Sequence, residues 1–321
     1  MDFNSIVSVV ADDFAAVDTF ITGSLRSRVP LVNEVGQYIV RGGGKRLRPL
    51  VCLLAARACG YRDGDHHIQV AGIIELLHTA TLLHDDVVDE SGLRRGRATA
   101  NARWDNPTAV LVGDYLISQA FQLVVGLRNL TVMDIMSQGT CVIAEGEVLQ
   151  LINQRDPATT EERYMDVIYG KTAKLFECAA EAGASLGNPA QQPAFAAYAR
   201  HLGAAFQIID DVLDYTSSAE VMGKNVGDDL AEGKPTLPLI QAMKLLPAAD
   251  AELIRDAIRT GGLQHLDRIL TLVRDSGALD YTLARARAES DLALAALVDV
   301  PASPWRQALE DLTRLALARN S

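Results

Sequence analysis

Two aspartate clusters of identical spacing stand out in this sequence as groups that could bind metal. HDDVVDE and IDDVLDY both place carboxylates at positions i, i+1 and i+4, at Asp85, Asp86 and Asp89 and again at Asp210, Asp211 and Asp214. On a helix, positions i and i+4 share a face, and like charges one turn apart repel each other. Each cluster also ends an apolar run, where unpaired carboxylates are costly. A divalent cation relieves both problems, and Mg²⁺ prefers oxygen ligands from carboxylates and phosphates.

One such cluster could equally be a solvated charged face or a helix end, but two copies favour metal binding. Six ionised aspartates would repel a diphosphate of about three negative charges, by several kcal/mol per pair at ~4 Å. Magnesium between the clusters would turn this repulsion into attraction and, as a Lewis acid, would stabilise diphosphate as it leaves. Metal-activated hydrolysis is an alternative, but the sequence has no histidine-rich metal set. The apolar approach to each cluster favours an oily substrate.

A glycine-rich basic segment, GGGKRLRP, is a candidate anion site. The chain is acidic, with 30 Lys and Arg against 41 Asp and Glu and a net charge of −11, so a cluster of cations is informative. Glycines 42–44 would expose backbone amides to an anion, while Lys45, Arg46 and Arg48 supply positive charge. The alternative is a simple turn before a helix that begins near Pro49.

Further cations follow the first aspartate cluster or are dispersed along the chain: Arg94, Arg95, Lys171, Lys224 and Lys234. Any one of the lysines would usually be an ordinary surface residue. Together with two magnesium clusters, these residues supply enough positive charge for two diphosphates. One diphosphate would lie on the metal ions, and the other on Lys and Arg alone.

The bulk properties exclude several classes of protein. The acidic surface argues against nucleic acid or an anionic membrane as the main partner. The N-terminus, MDFNSIVSVVADDF, lacks the basic region of a signal peptide, and no apolar run approaches the ~18 residues of a membrane span. The four cysteines form no CxxC pair and are predicted to be buried, reduced thiols. We expect a cytoplasmic protein.

Helical patterns recur along the whole chain, whereas strand-like alternation is hard to find. Glycine and proline clusters separate segments of roughly 15 to 25 residues, which predicts one all-α domain over 1–321, a bundle of long, mostly antiparallel helices. Residues 66–90 are apolar nearly all round, so this helix belongs in the centre of the protein. Residues 191–216 resemble them, and each segment leads into one aspartate cluster.

Taken together, the motifs resemble those of the trans-isoprenyl (polyprenyl) diphosphate synthase family, most of all its bacterial octaprenyl-forming members. The similarity spans nearly the whole chain and includes GGGKRLRP, LLHDDVVDESGLRRG, AEGEVLQL, GKTAKLFE, FQIIDDVLDY and GKNVGDDLAEGKPTLP. It implies the isoprenoid synthase fold, helices around a central cavity. It also implies a homodimer that adds isopentenyl diphosphate to an allylic diphosphate such as farnesyl diphosphate. The implied product is all-trans octaprenyl (C40) diphosphate, a quinone side-chain precursor that is passed to the membrane.

The resemblance also implies a role for each motif residue. About three Mg²⁺ ions per site, replaceable by Mn²⁺, would bind Asp85, Asp89 and Asp210, supported by Asp86, Asp211 and Asp214. The diphosphate of isopentenyl diphosphate would be held by Lys45, Arg48, His78 and Arg95. The allylic diphosphate would be held by Arg94, Lys171 and Lys234, with Lys224 closing over it and with Thr172 and Gln207 lining the reacting carbons. By itself, His78 would be interpreted as a satisfied histidine on a buried helix.

Small residues before the first cluster predict a long product. At ~1.5 Å per helical residue, Ala80 and Thr81 lie about 7.5 and 6 Å below Asp85. An aromatic residue there would block the growing tail, as it does in short-chain members of the family. The floor of this tunnel is predicted lower, among Leu123, Val124, Met133 and Met136, although plain core packing also explains any one of these four.

Two other functions share parts of this pattern. A terpene cyclase would use the same metal chemistry, but cyclases usually shield carbocations with many aromatic rings, and aromatic residues are only 5% of this chain. A non-catalytic subunit of a heteromeric synthase would typically lose its acidic motifs, and this chain keeps both. A prenyl synthase of shorter or longer product length remains a further alternative.

Overall fold

The computed structural model describes residues 2–216, 227–262 and 264–318. In the first half of the chain, helices α1 to α8 span Phe3–Ser8, Ala11–Ser24, Pro30–Arg41, Leu47–Ala58, His66–Val88, Ala100–Arg103, Asn106–Gly126 and Leu130–Asn153. Two short strands, β1 and β2, lie between α5 and α6 at Leu93–Arg94 and Arg97–Ala98.

The second half is also helical. Helices α9 to α17 span Glu161–Ile168, Lys174–Gly187, Gln192–Thr216, Asp228–Ala231, Leu237–Leu245, Ala248–Thr260, Leu266–Asp275, Ala278–Ala296 and Pro304–Ala318. A π-helical turn, Tyr169–Ala173, joins α9 to α10, and a 3₁₀ turn, Pro189–Gln191, precedes α11. The all-α prediction is therefore confirmed, and the strands of the described part form only one two-residue antiparallel hairpin.

Contacts between residues divide the chain into two compact units. The first comprises Met1–Gly139, Leu175–Ala199 and Ala296–Leu312. The second comprises Thr140–Lys174, Arg200–Ala295 and Thr313–Ser321. The single domain stays a prediction.

Helix α5 forms the centre of the first unit, as its apolar sequence predicts. Helices α2, α4 and α7 pack against it, and Ile74, Leu76, Ala80 and Leu83 on it are fully buried. An all-round apolar helix is stable only when neighbours cover every face. The helix therefore carries its C-terminal aspartates on a rigid support.

The second unit has its own core, and α9 is packed into it. Thr160 caps α9 by accepting the backbone N–H of Arg163 at 3.3 Å, and Glu161 and Glu162 occupy the first turn, where the helix dipole favours acids. Tyr164 and Ile168 point into a cluster that includes Ile208, Ile209, Leu237 and Ile240. This packing fixes α9 beside α11, which carries the second aspartate cluster.

Helix α7 is the one described helix that is long and apolar enough to cross a membrane by length and composition alone. Its apolar window has a mean hydropathy of 1.4, and 33% of it is buried in the protein. The contact of α7 with α5 accounts for its buried face. Its exposed face includes Leu111 and Val125.

The cysteine prediction is only partly right. Cys52, Cys59 and Cys178 are buried, and all four thiols are free. Cys141 is exposed, because its position on α8 faces outward although its sequence neighbours are apolar.

Candidate active site

The first aspartate cluster lies at the C-terminal end of α5. Asp89 caps this helix, and its backbone N–H still donates to the carbonyl of Asp85 at 2.8 Å. Asp85 and Asp89 are therefore one helical turn apart, as predicted. Both side chains are partly exposed. Glu90 then adopts a positive φ of 53° and ends the helix.

Asp86 differs from its two neighbours because it is buried, and it forms an ion pair with Arg94. Its carboxylate accepts from Arg94 Nε at 2.8 Å and from Arg94 Nη2 at 2.7 Å. Burial raises the pKa of Asp86, while the Arg94 guanidinium opposes that shift. Asn101 donates to the Asp86 backbone carbonyl at 3.1 Å. This arrangement fits the predicted supporting role of Asp86, and it gives Arg94 a carboxylate partner within its own segment.

In the second cluster, on α11, one aspartate is likewise partly exposed while others are buried. Asp210 is partly exposed, whereas Asp211 and Asp214 are 4% and 0% exposed. Asp211 accepts one hydrogen bond on each oxygen, from the Tyr164 hydroxyl at 2.6 Å and from Gln207 Nε2 at 2.8 Å. Burial and the nearby Asp229 charge raise the pKa of Asp211, against the effect of these two hydrogen bonds.

Burial therefore separates the six aspartates into two sets of three. The three predicted metal ligands, Asp85, Asp89 and Asp210, are accessible, and the three predicted supporting residues are buried. Among the described residues, no three His, Cys, Asp or Glu side chains form a ready-made metal cluster. Mg²⁺ commonly binds one or two carboxylates and takes its other ligands from water and substrate phosphate. Accessible carboxylates of this kind suit such an ion, which would take its remaining ligands from water and the substrate.

A cationic site surrounds His78 within the first unit. Arg48 Nη1 lies 3.1 Å from His78 Nε2. Burial lowers the pKa of His78 well below its usual range, and the charges of Arg48, Arg95, Arg94 and Arg46 lower it further. The imidazole is therefore neutral and adds hydrogen-bonding capacity rather than charge. The structure thus brings together three of the four residues predicted to hold one diphosphate, and Lys45 is exposed on the adjoining loop.

Local backbone geometry presents Arg95 to this site. Arg95 and Gly96 form the two-residue turn of the β1–β2 hairpin, and both have positive φ, 53° and 72°, as expected for a tight hairpin turn. Gly44, with φ of 141°, lies so close to the hairpin that a Cβ there would be 2.6 Å from Arg95 Nη1. The glycine loop therefore lies directly against the guanidinium.

Arg46, from the same basic segment, supports the cationic site around His78 through contacts with neighbouring helices. It pairs with the buried Glu75 on α5, at 2.5 Å from Nη1 to Oε1, and donates to the Val40 carbonyl at 3.0 Å. Its φ of 49° is left-handed. These contacts tie the loop before α4 to the helix that carries His78.

In the second unit, four residues predicted to surround the allylic substrate line one cavity of about 130 Å³, together with Asp211: Lys171, Thr172, Gln207 and Lys234. Lys224 lies outside the described residues. Lys171 pairs with Glu147 at 2.6 Å, and Lys234 pairs with Glu232. Two lysines in one cavity suit an anionic guest.

The cavity also contains residues that sequence reasoning missed: Asn153, Thr159, Tyr164, Asp229 and Thr236. Asn153 Nδ2 and Thr159 Oγ1 are buried and make no hydrogen bond to any residue that the structure describes, which is consistent with a cavity that accepts a polar guest. Asp229 belongs to the GKNVGDDLAEGKPTLP segment and could have been singled out. Tyr164 carries no sequence signal beyond its helical periodicity.

Two glycines allow the lysine-bearing turn to approach α8. Lys171 and Thr172 lie on the π-helical turn, a local widening often found at functional sites. A Cβ on Gly170 would be 2.7 Å from Gly146 Cα, and a Cβ on Gly146 would be 2.6 Å from the Gly170 carbonyl carbon. The backbones therefore touch at this point, and Gly146 precedes the Glu147 that pairs with Lys171.

The residues predicted to set product length are buried to different degrees. Ala80 is fully buried on α5, and Thr81 is partly buried, with its hydroxyl donating to the His78 carbonyl at 2.9 Å. Val124 and Met136 are buried, whereas Leu123 and Met133 are partly exposed. Their role in a tunnel stays a prediction.

Comparisons with known proteins agree on one family. A family model described as polyprenyl synthetase matches residues 29–273. The all-trans-nonaprenyl-diphosphate synthase (geranyl-diphosphate specific) of Rhodobacter capsulatus is 56% identical over 99% of both chains. The octaprenyl diphosphate synthase of Escherichia coli K12 is 50% identical over 100% of both chains. A polyprenyl synthase of Caulobacter crescentus, solved with calcium and isoprenyl diphosphate, superposes with a TM-score of 0.95 at 42% identity, over 100% of this chain and 98% of its own.

Proposed function

Because this chain belongs to the polyprenyl synthetase family, we propose that it is a long-chain trans-polyprenyl diphosphate synthase that makes octaprenyl (C40) diphosphate. It adds isopentenyl diphosphate repeatedly to an allylic diphosphate. The observation that carries the proposal is the cavity shared by Lys171, Thr172, Gln207, Asp211 and Lys234. It combines cations for a diphosphate with neutral oxygen-bearing side chains beside it.

Each group of residues has a defined task in this reaction. Bound at Asp85, Asp89 and Asp210, about three Mg²⁺ ions, or Mn²⁺ in their place, would supply Lewis-acid assistance to the departing diphosphate. Lys171 and Lys234 hold the allylic diphosphate, and exchange their carboxylate partners for it. Arg94 and Lys224 complete this set.

Isopentenyl diphosphate, the second substrate, is held by positively charged side chains and by the neutral imidazole of His78. Lys45, Arg48 and Arg95 bind the diphosphate of isopentenyl diphosphate, and neutral His78 completes the hydrogen bonding. Holding both substrates in register replaces a bimolecular encounter by an oriented reaction. The double bond attacks the allylic carbocation, and the released diphosphate takes the proton that is lost. Apolar surroundings keep water away from the cation.

Product length and primer are tested together by one assay. The purified protein is incubated with Mg²⁺, labelled isopentenyl diphosphate and either geranyl or farnesyl diphosphate, and the products are sized by chromatography. We expect elongation that ends at C40. Because the R. capsulatus relative is described as geranyl-diphosphate specific, the two primers are compared at equal concentration. Absence of any elongated product would refute the proposal, and another sharp length would correct it.

Ala80→Tyr is expected to shorten the product to about the fifteen-carbon class. The tyrosine ring would stand about 7.5 Å from Asp85 along α5 and would block the tail after a few condensations. Product chromatography of the variant beside the wild-type protein measures this. An unchanged product length would refute the tunnel model.

The protein is also proposed to be a cytoplasmic homodimer that passes its lipid product to the membrane for quinone synthesis. The exposed apolar face of α7, with Leu111 at 65% and Val125 at 56% exposure, suits a second copy of the chain, since burying such a patch stabilises association.

Leu111→Arg is expected to give a monomer in light scattering, because a charge on this face opposes its burial against a second copy. Leu292→Arg, at an apolar residue 48% exposed on α16, is the control and should leave the dimer intact.

A further inference from the structure

A continuous chain of hydrogen bonds links Tyr164 to Thr172 across the cavity. The Tyr164 hydroxyl donates to Asp211 Oδ2 at 2.6 Å, and Gln207 Nε2 donates to Asp211 Oδ1 at 2.8 Å. At the other end, the Thr172 hydroxyl donates to Gln207 Oε1 at 3.0 Å. All four residues line the cavity. The chain begins on α9, passes through α11 and ends on the π-helical turn.

The direction of each bond follows from the chemistry of the groups. The amide N–H₂ of Gln207 is the group that lies 2.8 Å from Asp211 Oδ1, and an amide nitrogen can only donate. The Gln207 carbonyl oxygen then faces Thr172, and the Thr172 hydrogen is used in that bond. The carbonyl oxygen of Gln207 and the hydroxyl oxygen of Thr172 therefore each have a lone pair that is available to a group in the cavity. Partial negative charge directed at a developing cation is the arrangement that stabilises it.

Resting on the function proposed above, we propose that Tyr164 is a positioning residue for the condensation. Its hydroxyl holds Asp211, and through Asp211 and Gln207 it fixes Thr172 so that oxygen lone pairs, not hydrogens, face the reacting allylic carbons. Without that hydroxyl, one oxygen of a 4%-exposed carboxylate loses its donor, the carboxylate turns, and the amide of Gln207 is no longer held in one orientation.

The test is Tyr164→Phe, which removes one oxygen and keeps the ring in its core cluster. We expect the single-turnover rate of the first condensation to fall about ten- to a hundredfold, the usual loss for a residue that orients a functional group. Binding of inorganic diphosphate in the presence of Mg²⁺ and the thermal midpoint should stay near wild type. Tyr281→Phe is the matched control, since it removes a hydroxyl that donates to Glu161 at 2.9 Å outside the cavity, and it should keep the wild-type rate.

A double-mutant cycle separates positioning from a structural role. Gln207→Leu breaks the chain in the middle, so adding Tyr164→Phe to it should cause little further loss. Losses that multiply would show that Tyr164 acts independently of Gln207 and would overturn the proposal, as would an unchanged rate in Tyr164→Phe. If Tyr164→Phe lowers the thermal midpoint, a second cycle pairs Tyr164→Phe with Asp211→Asn, and their effects on the rate should also be non-additive. An inactive wild-type protein would instead refute the proposed function.

Discussion

Replacing Asp85 by alanine is expected to lower kcat/KM about a thousandfold, equivalent to about 4 kcal/mol of transition-state stabilisation. Asp85 is one of three partly exposed aspartates in the two clusters, and it is a proposed metal ligand. Losing it removes a ligand from an ion that has few protein ligands. Steady-state kinetics over a range of Mg²⁺ concentrations measure the effect, and the Mg²⁺ needed for half-maximal rate should rise.

Asp291→Ala is the control for this experiment. Asp291 is an exposed carboxylate on α16, so its removal makes the same change in net charge without touching the clusters. Its kinetics should equal those of the wild type. If Asp85→Ala kept more than about a tenth of the wild-type kcat/KM, Asp85 would not be a metal ligand.

Gly170→Ala is expected to cause the second large loss. The added methyl group would be 2.7 Å from Gly146 Cα, and backbone cannot move aside as a side-chain tip does. Overpacking of this kind costs about 1–3 kcal/mol of stability. Because Lys171 follows Gly170 directly, the shift would also displace the lysine and Thr172. We expect a fall in the thermal midpoint together with a loss of activity of about a hundredfold, since small misplacements near reacting groups are costly.

Gly23→Ala provides the matched helical control. Gly23 lies in α2, and a Cβ there would meet nothing within 4 Å. Alanine has the higher helix propensity, so this variant should be as stable as the wild type or slightly more stable. Wild-type activity in Gly170→Ala would mean that the two backbones separate at little cost, and that the close contact does not position Lys171.

Much of this arrangement could be predicted from sequence because the residues concerned carry distinctive patterns. The all-round apolar run of α5 predicted a central helix, and it is one. The i and i+4 spacing predicted that Asp85 and Asp89 share a face, which the 2.8 Å bond from Asp89 to Asp85 confirms. Small and charged residues in GGGKRLRP predict an anion site, which stays a prediction; the structure places Arg48 of this segment beside His78.

Other features depend on contacts between distant segments, which leave no local pattern. Tyr164 lies 47 positions from Asp211 along the chain, and an amphipathic helix would place any large apolar residue at that position equally well. Arg46 looked like a diphosphate ligand by composition, but only the fold reveals Glu75 at 2.5 Å. Gly146 and Gly170 each look like ordinary helical glycines until their backbones are seen to touch. The exposure of Cys141 could not be predicted either, because its apolar sequence neighbours do not indicate which face of α8 is exposed.

The most direct test of the central claim is turnover before and after chelation of the metal. Labelled isopentenyl diphosphate and farnesyl diphosphate are supplied to the wild-type protein in excess EDTA, and Mg²⁺ or Mn²⁺ is then added back. We expect no elongated product in EDTA and full recovery of the long product with either ion. We also expect Asp85→Ala and Asp210→Ala to recover little activity at the same ion concentration. Undiminished turnover in EDTA would contradict a mechanism in which these aspartates act through metal.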